Sequence, residues 1–128
     1  MVGCRSSMIP PTEGYHKVDI GGCRLQMLIR GRGDPVVVLE SGCGDTISSW
    51  EKVQPEVAKF ACVVAYDRAG LGMSDPAVNE SRTTAQIARQ LHTALHKANL
   101  PPPYVLVGHS MGGFHVRLFA QQFPKEVA

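Results

Sequence analysis

The chain has 128 residues, of which 44% are hydrophobic and 19% are charged, and its formal net charge is +2. This length and composition suit one globular domain. Lysines and arginines are scattered, which excludes the basic patch of a nucleic-acid or membrane-surface binder, and no apolar run approaches the ~18 residues of a membrane span.

The first 14 residues contain Pro10, Pro11 and Gly14 and show little periodicity. They predict a flexible leader, with the folded region running from residue 15 to residue 128. The segment contains no apolar stretch typical of a secretory signal. The four cysteines form no CxxC pair and match neither a disulfide framework nor a zinc site; they are Cys4, Cys23, Cys43 and Cys62. We therefore expect reduced thiols in a cytoplasmic protein.

Strand patterns dominate the next 50 residues. Residues 17–20 and 24–30 predict an antiparallel hairpin that turns at Gly21 and Gly22. Residues 35–40, PVVVLE, form a short apolar run of the kind found in a strand covered on both faces. Residues 48–60 have helical spacing at Trp50, Val53, Val57 and Phe60, with Pro55 expected to break or kink the helix. Trp50 and Phe60 are expected to pack in the core.

The second half of the chain alternates strands with helices. Residues 61–67 predict another buried strand, followed by a turn-rich loop over residues 68–82. Residues 83–100 begin with a threonine cap and predict an amphipathic helix. A strand over residues 104–107 and a helix that ends near Pro124 complete the pattern. The expected fold is α/β, with a mostly parallel sheet, helices on both faces and an N-terminal antiparallel hairpin.

The motif Gly108-His109-Ser110-Met111-Gly112 lies between the last strand and the last helix. A bare GxSxG pattern occurs by chance in roughly 4% of chains of this length, so its strand–turn–helix context carries the interpretation. A sharp turn there would expose the serine hydroxyl, while Gly108 and Gly112 avoid collisions between the helix and the strand. The backbone N–H of Met111 would then be placed to stabilise an oxyanion.

Three segments resemble the α/β-hydrolase superfamily: GHSMGG, AYDRAGLGMSDP and VVVLESGCGDTISSW. The similarity runs from about residue 15 to the end, and the motifs follow in the family's order. It implies a truncated α/β-hydrolase fold that extends through the nucleophile elbow, the N-terminal half of a complete domain.

The resemblance also implies roles for individual residues. Ser110 would be the nucleophile, and the backbone N–H groups of Met111 and Cys43 would form the oxyanion hole. Gly42 and Gly44 would let their loop approach the substrate oxygen. Asp67 and Arg68 would support the loop beside the site. Ser41 stands where many members carry histidine, which changes what orders the loop but leaves the backbone donor in place.

A serine hydroxyl needs a base, which in this family is a histidine that follows the nucleophile and a carboxylate in the chain. After Ser110 the chain contains only His115 and Glu126 as candidates. His115 should project away along its helix, and the side chain of His109 should diverge from its neighbour. Asp67 should lie two strands from the elbow strand, roughly 10 Å away. No residue of this chain is therefore predicted to be the catalytic acid or base.

Two other patterns suggest different sites. His92 and His96 have the i, i+4 spacing of zinc ligands, but Thr93 stands where the zinc-protease motif needs glutamate, so we expect a solvated helix flank. The glycine pairs 42/44 and 70/72 lack the third glycine of a dinucleotide loop. Cys43 could be alkylated if its thiol faces a bound acyl group, although we favour a purely backbone role.

The sequence thus predicts a serine hydrolase that cleaves a small-molecule ester or amide through an acyl-serine intermediate when the domain is complete. This chemistry needs no cofactor or metal. The alternative is a non-catalytic truncated fragment or binding module, and the 128-residue chain itself is expected to be weakly active or inactive. No nucleic-acid or membrane partner is expected. An unpaired apolar elbow strand at the sheet edge would promote self-association.

Overall fold

Five strands form one sheet in the computed structural model, which describes residues 9–77 and 82–128. The sheet order is β1-β2-β4-β3-β5. β1 and β2 form the predicted antiparallel hairpin, β2 also runs antiparallel to β4, and β3 lies parallel to both β4 and β5. The predicted α/β class is confirmed, and the hairpin makes the described sheet mixed. The strands are β1 (Gly14–Asp19), β2 (Arg24–Arg30), β3 (Val36–Glu40), β4 (Cys62–Tyr66) and β5 (Tyr104–Gly108).

Three α-helices accompany the sheet in the described part of the chain: α1 (Gln54–Val57), α2 (Thr84–Lys97) and α3 (Gly112–Gln122). The predicted threonine cap of α2 is Thr83, whose hydroxyl accepts a hydrogen bond from the N–H of Gln86 at 3.2 Å. Two short 3-10 turns, Ile47–Trp50 and Pro124–Glu126, complete the order. Among residues 9–77 and 82–128, no helix combines the length and the apolar character needed to cross a membrane.

Alternate residues of the central strands enter two separate cores. Val36, Val38 and Val64 face one side of the sheet, where helices α2 and α3 cover them. Val37 and Val63 face the other side, against the 47–61 segment. Every residue of β3 and β4 is buried, which explains why these strands are continuously apolar rather than alternating.

The 48–60 segment differs from its predicted helix. It divides into the 3-10 turn Ile47–Trp50 and the single turn of α1, and Pro55 lies at the start of α1 rather than breaking a longer helix. Trp50 is buried as expected, but Phe60 is 77% exposed, so its predicted core position is wrong. Proline is favoured in a first helical turn, where its missing N–H costs no hydrogen bond.

Parts of two predicted segments lie outside the described residues. Of the predicted leader, residues 1–8 are among these, residues 9–13 belong to no helix or strand, and Gly14 begins β1. Residues 78–81 of the 68–82 loop are also outside them, as is Cys4. Cys43 and Cys62 are free thiols, and Cys43 is exposed whereas Cys62 is buried.

Candidate functional site

Ser110 occupies the turn between β5 and α3. Its φ angle is +55°, in the left-handed region that residues other than glycine rarely adopt. The residue is exposed, and α3 begins two residues later at Gly112. Such strain in a non-glycine residue persists only where surrounding structure enforces it, and it is often found at functional sites. The backbone at Ser110 therefore has the sharp turn that the motif predicts.

Two glycines allow this turn by removing side chains from close backbone contacts. A Cβ at Gly108 would lie 2.7 Å from the carbonyl oxygen of Gly112, and one at Gly112 would overlap the carbonyl oxygen of Glu40. The helix therefore packs on the ends of both β5 and β3 with no room for a methyl group. The steric reason predicted for both glycines is confirmed.

The register of β3 and β5 brings two loops together beside Ser110. Glu40 pairs with Gly108, and the N–H of His109 donates to the carbonyl oxygen of Glu40 at 3.1 Å. The loops that follow the two strands therefore leave the sheet at the same level. Neither the Cys43 N–H nor the Met111 N–H donates a hydrogen bond within residues 9–77 and 82–128. Within these residues, neither predicted donor is therefore used by a backbone acceptor.

Arg68 holds the loop that carries Cys43. Its guanidinium donates to the carbonyl oxygens of Ser41 at 2.7 Å and Gly42 at 2.5 Å. It also forms a buried ion pair with Glu40, at 2.8 Å between Nη1 and Oε1. These bonds fix the peptide units immediately before Cys43. The sequence predicted a supporting position for Arg68 but gave no partner for it.

Glu40 and Tyr66 belong to the same buried network and were missed by the sequence analysis. The Tyr66 hydroxyl donates to Oε2 of Glu40 at 2.6 Å. Burial raises the pKa of Tyr66 well above its ordinary value, and the neighbouring Glu40 raises it further, so the phenol keeps its proton. The available signal was an acid that ends an apolar strand, together with an arginine just after another such strand.

Trp50 and Asp67 make further hydrogen bonds to the segments around this loop. The indole N–H of Trp50 donates to Oγ of Ser41 at 2.8 Å, which shows what orders the loop in place of a histidine. Oδ1 of Asp67 accepts from the N–H of Ile47 at 2.8 Å, and Oδ2 accepts from the N–H of Met73 at 3.0 Å. Asp67 therefore joins the segments on either side of β4.

No described histidine hydrogen-bonds to Ser110. His109 is exposed, and its Nδ1 lies 3.9 Å from a carboxylate oxygen of Asp45. His115 is buried with its Nδ1 3.9 Å from Oε1 of Glu40, and that nitrogen has no hydrogen-bond partner among the described residues. β3 separates β4 from β5, so Asp67 follows a strand two positions away from the elbow strand. The described residues therefore place the Ser110 turn beside the loop that carries Cys43, with no histidine hydrogen-bonded to the serine.

Comparisons with known proteins agree with this arrangement. A family model described as alpha/beta hydrolase fold matches residues 34–128. A protein named as an AB hydrolase superfamily protein, from Gibberella zeae, is 34% identical over 91 residues, covering 71% of this chain and 28% of its own length. The crystal structure of epoxide hydrolase A from Mycobacterium thermoresistibile superposes with a TM-score of 0.80 at 29% identity, covering 91% of this chain and 37% of that one.

The structure of Cfl2 from Burkholderia cenocepacia is also similar, with a TM-score of 0.82 and 26% identity over 93% of this chain and 43% of that one. The chain thus spans less than half the length of these proteins.

Proposed function

The chain belongs to the alpha/beta hydrolase fold family, as its motifs predict, and we propose that it carries the nucleophile and oxyanion hole of a serine hydrolase. One observation supports this most directly: Ser110 is exposed, at φ +55°, in the turn between a strand and a helix. In this proposal Ser110 is the nucleophile, and the N–H groups of Met111 and Cys43 bind the oxyanion. The substrate is a small ester or, less readily, an amide.

The proposed reaction proceeds in two steps. Oγ of Ser110 attacks the substrate carbonyl carbon and loses its proton to a base, and the carbonyl oxygen becomes an oxyanion held by the two N–H groups. Collapse of this intermediate breaks the bond to the alcohol or amine, which departs with the proton from the base. The acyl group stays on Ser110 as an acyl-serine. Water then attacks the acyl carbon, which releases the acid and restores the hydroxyl.

A serine at this position favours acyl transfer over epoxide opening. Attack of Oγ on an epoxide carbon would leave Ser110 as an alkyl ether, and an ether has no carbonyl for water to attack. An acyl-serine is an ester and can be hydrolysed. For this reason we propose ester or amide cleavage, even though the similar structure from Mycobacterium thermoresistibile is named as an epoxide hydrolase.

The absence of a base near Ser110 in the described residues supports a second part of the proposal. The chain by itself has little or no turnover and would serve as the nucleophile-bearing part of a site whose acid and histidine come from elsewhere. The rival function is a non-catalytic binding module. We propose a cytoplasmic setting, which suits the free thiols of Cys43 and Cys62.

A fluorophosphonate probe with added imidazole tests this proposal. An oxyanion hole without its full triad still supports about 10³–10⁴-fold catalysis over water, so slow labelling at Ser110 is expected. Free imidazole should replace the missing base and accelerate both labelling and the release of p-nitrophenol from a p-nitrophenyl ester. Mass spectrometry of the labelled peptide identifies the modified residue.

Two variants make the result specific. Ser110→Ala should abolish labelling and reduce ester cleavage to the rate of imidazole alone, which is the background to subtract. Ser49→Ala removes an exposed serine of the loop region and should change neither. Labelling spread over several serines, or none with imidazole present, would support the binding-module alternative. Fast turnover without imidazole would show that the chain does contain a base.

A further inference from the structure

A cluster of metal-binding side chains lies on the helix-covered side of the molecule, outside the proposed catalytic machinery. His92 and His96 project from one face of α2, and Glu126 follows α3 in the Pro124–Glu126 turn. Their ligating atoms all lie within 4.8 Å of one another. The sequence predicted only a solvated flank for the two histidines. It could not show that a carboxylate 30 residues later returns to the same place.

Both imidazoles direct Nε2 at the same carboxylate. Nε2 of His92 lies 2.9 Å from Oε2 of Glu126, and Nε2 of His96 lies 2.6 Å from Oε1. The His92 and Glu126 side chains are about three-quarters buried, and the His96 side chain is 46% exposed. The cluster is therefore partly enclosed and still open to an ion arriving from solvent.

Neighbouring contacts hold the ligands in position. The ring of His92 stacks on Phe123, with centroids 3.7 Å apart and planes 4° from parallel. The N–H of Glu126 donates to the carbonyl oxygen of Phe123 at 3.0 Å. The same aromatic residue thus fixes one imidazole and the turn that carries the carboxylate, so two of the three ligands are positioned by packing rather than by the ion.

We propose that His92, His96 and Glu126 form a structural site for a divalent transition metal, with Zn²⁺ as its ion. Zn²⁺ binds imidazole nitrogen and carboxylate oxygen at about 2.0–2.2 Å, which places neighbouring donors about 3.3 Å apart, so only small side-chain shifts are needed. A neutral imidazole binds through Nε2 while its proton resides on Nδ1. Three protein ligands leave a fourth position for water.

The bound ion would connect α2 to the end of the described chain. Immediately after Glu126, Val127 pairs with Tyr104 beside β5, and the N–H of Ala128 donates to the carbonyl oxygen of Tyr104 at 2.8 Å. Zinc at this cluster would therefore stabilise the segment that starts to pair along the open edge of β5. Its expected effect is on stability, and it does not depend on the hydrolase proposal.

Zinc titration of the chelator-treated chain tests the site. We expect one Zn²⁺ per chain in competition with a chromophoric chelator, and a rise in thermal midpoint that EDTA reverses. Loss of an outer-shell partner already weakens metal sites by about 10–100-fold, so loss of a ligand in His96→Ala or Glu126→Gln should weaken zinc binding by at least about tenfold. Co²⁺ in place of Zn²⁺ should give a ligand-field spectrum without a thiolate charge-transfer band.

Two control variants distinguish this site from other zinc ligands. His16→Ala removes a histidine whose ring contacts the carbonyl oxygen of Thr12, and it should bind zinc like the unmodified chain. Cys43→Ser removes an exposed thiol and should also leave the affinity unchanged. Circular dichroism confirms that each variant is folded. The proposal would be overturned if the chain bound no zinc, or if His96→Ala and Glu126→Gln bound it as tightly as the unmodified chain. Loss of binding in Cys43→Ser would overturn it as well.

Discussion

Arg68 is the residue on which the order of the candidate site most depends. Its guanidinium contacts one carboxylate and two backbone carbonyls, all of them buried. An arginine fork suits this arrangement because it offers several N–H donors in fixed directions. The loop that carries the Cys43 N–H is therefore set by a side chain from the neighbouring segment, and not only by its own sequence.

Arg68→Met should lower the free energy of unfolding by about 3–5 kcal/mol, because it leaves the Glu40 carboxylate buried without its cation. Urea unfolding followed by tryptophan fluorescence measures this loss. The double variant Glu40→Gln/Arg68→Met should recover part of it, since no charge then remains unpaired.

Arg24→Met is the matched control for an exposed arginine pair, that of Arg24 with Asp75. Surface pairs contribute about 0–1 kcal/mol, so a small change is expected. If Arg68→Met were no more harmful than Arg24→Met, the buried network would not be holding the loop.

Single residues of the site differ in how far the sequence could predict them. Ser110, Gly108 and Gly112 could be placed because steric requirements of one turn fix their spacing along the chain. Glu40 and Tyr66 could not, because their contact with Arg68 depends on β3 lying beside β4 in a particular register. The convergence of Glu126 on the two histidines depends in the same way on how α2 packs near the end of α3.

Among the elements, α3 is distinguished by its close approach to the sheet. Gly112 lies against the carbonyl oxygens of Glu40 and Ser41, whereas a Cβ at the adjacent Gly113 would meet nothing within 4 Å. Two neighbouring glycines thus have different roles. One permits helix–sheet contact, and the other occupies a position that any small residue could fill.

Gly112→Ala should therefore reduce the free energy of unfolding by about 1–3 kcal/mol, the usual cost of forcing extra atoms into a packed interior. Gly113→Ala should leave it unchanged or raise it by up to about 1 kcal/mol, because alanine is the better helix former. Thermal or urea unfolding of both variants provides the comparison. Equal losses in the two would contradict the assigned packing role.

The elements also show why helix prediction failed over residues 48–60. Their apolar spacing is helical, and yet Trp50 is fixed by its indole hydrogen bond to Ser41 and Gln54 donates to the carbonyl oxygens of Leu28 and Val63. These tertiary contacts require separate short turns. Strands β3 and β4 were predictable because short continuous apolar runs are typical of strands that are covered on both faces.

At the scale of the whole molecule, β5 lies at one side of the sheet with an apolar surface. Val105 and Val107 are 37% and 36% exposed. Within the described residues, the outer edge of β5 is paired only at Tyr104, through Val127. Open strand edges with apolar side chains favour pairing with another chain, so the self-association predicted from the sequence stays a prediction for this surface.

Sedimentation velocity over a range of concentrations should show association of the chain, and Val105→Lys/Val107→Lys should weaken it by at least about tenfold. Each valine buried in the contact would contribute about 1.5–3 kcal/mol, and 1.4 kcal/mol corresponds to a factor of ten. Phe60→Lys is the control, because Phe60 is 77% exposed and lies outside the β5 edge. A monomer at every concentration, or equal weakening by Phe60→Lys, would contradict this role for β5.

Because Glu40 pairs with Gly108, the lengths of β3 and β5 determine how the two loops of the site are positioned relative to each other. Inserting or deleting one residue in β3 would displace one loop relative to the other by about 3.3 Å and would turn its alternating side chains to the opposite layer. The lengths of β3 and β5 should accordingly resist change during divergence. Insertions at the tips of the loops, by contrast, would leave the alignment of the two strands intact.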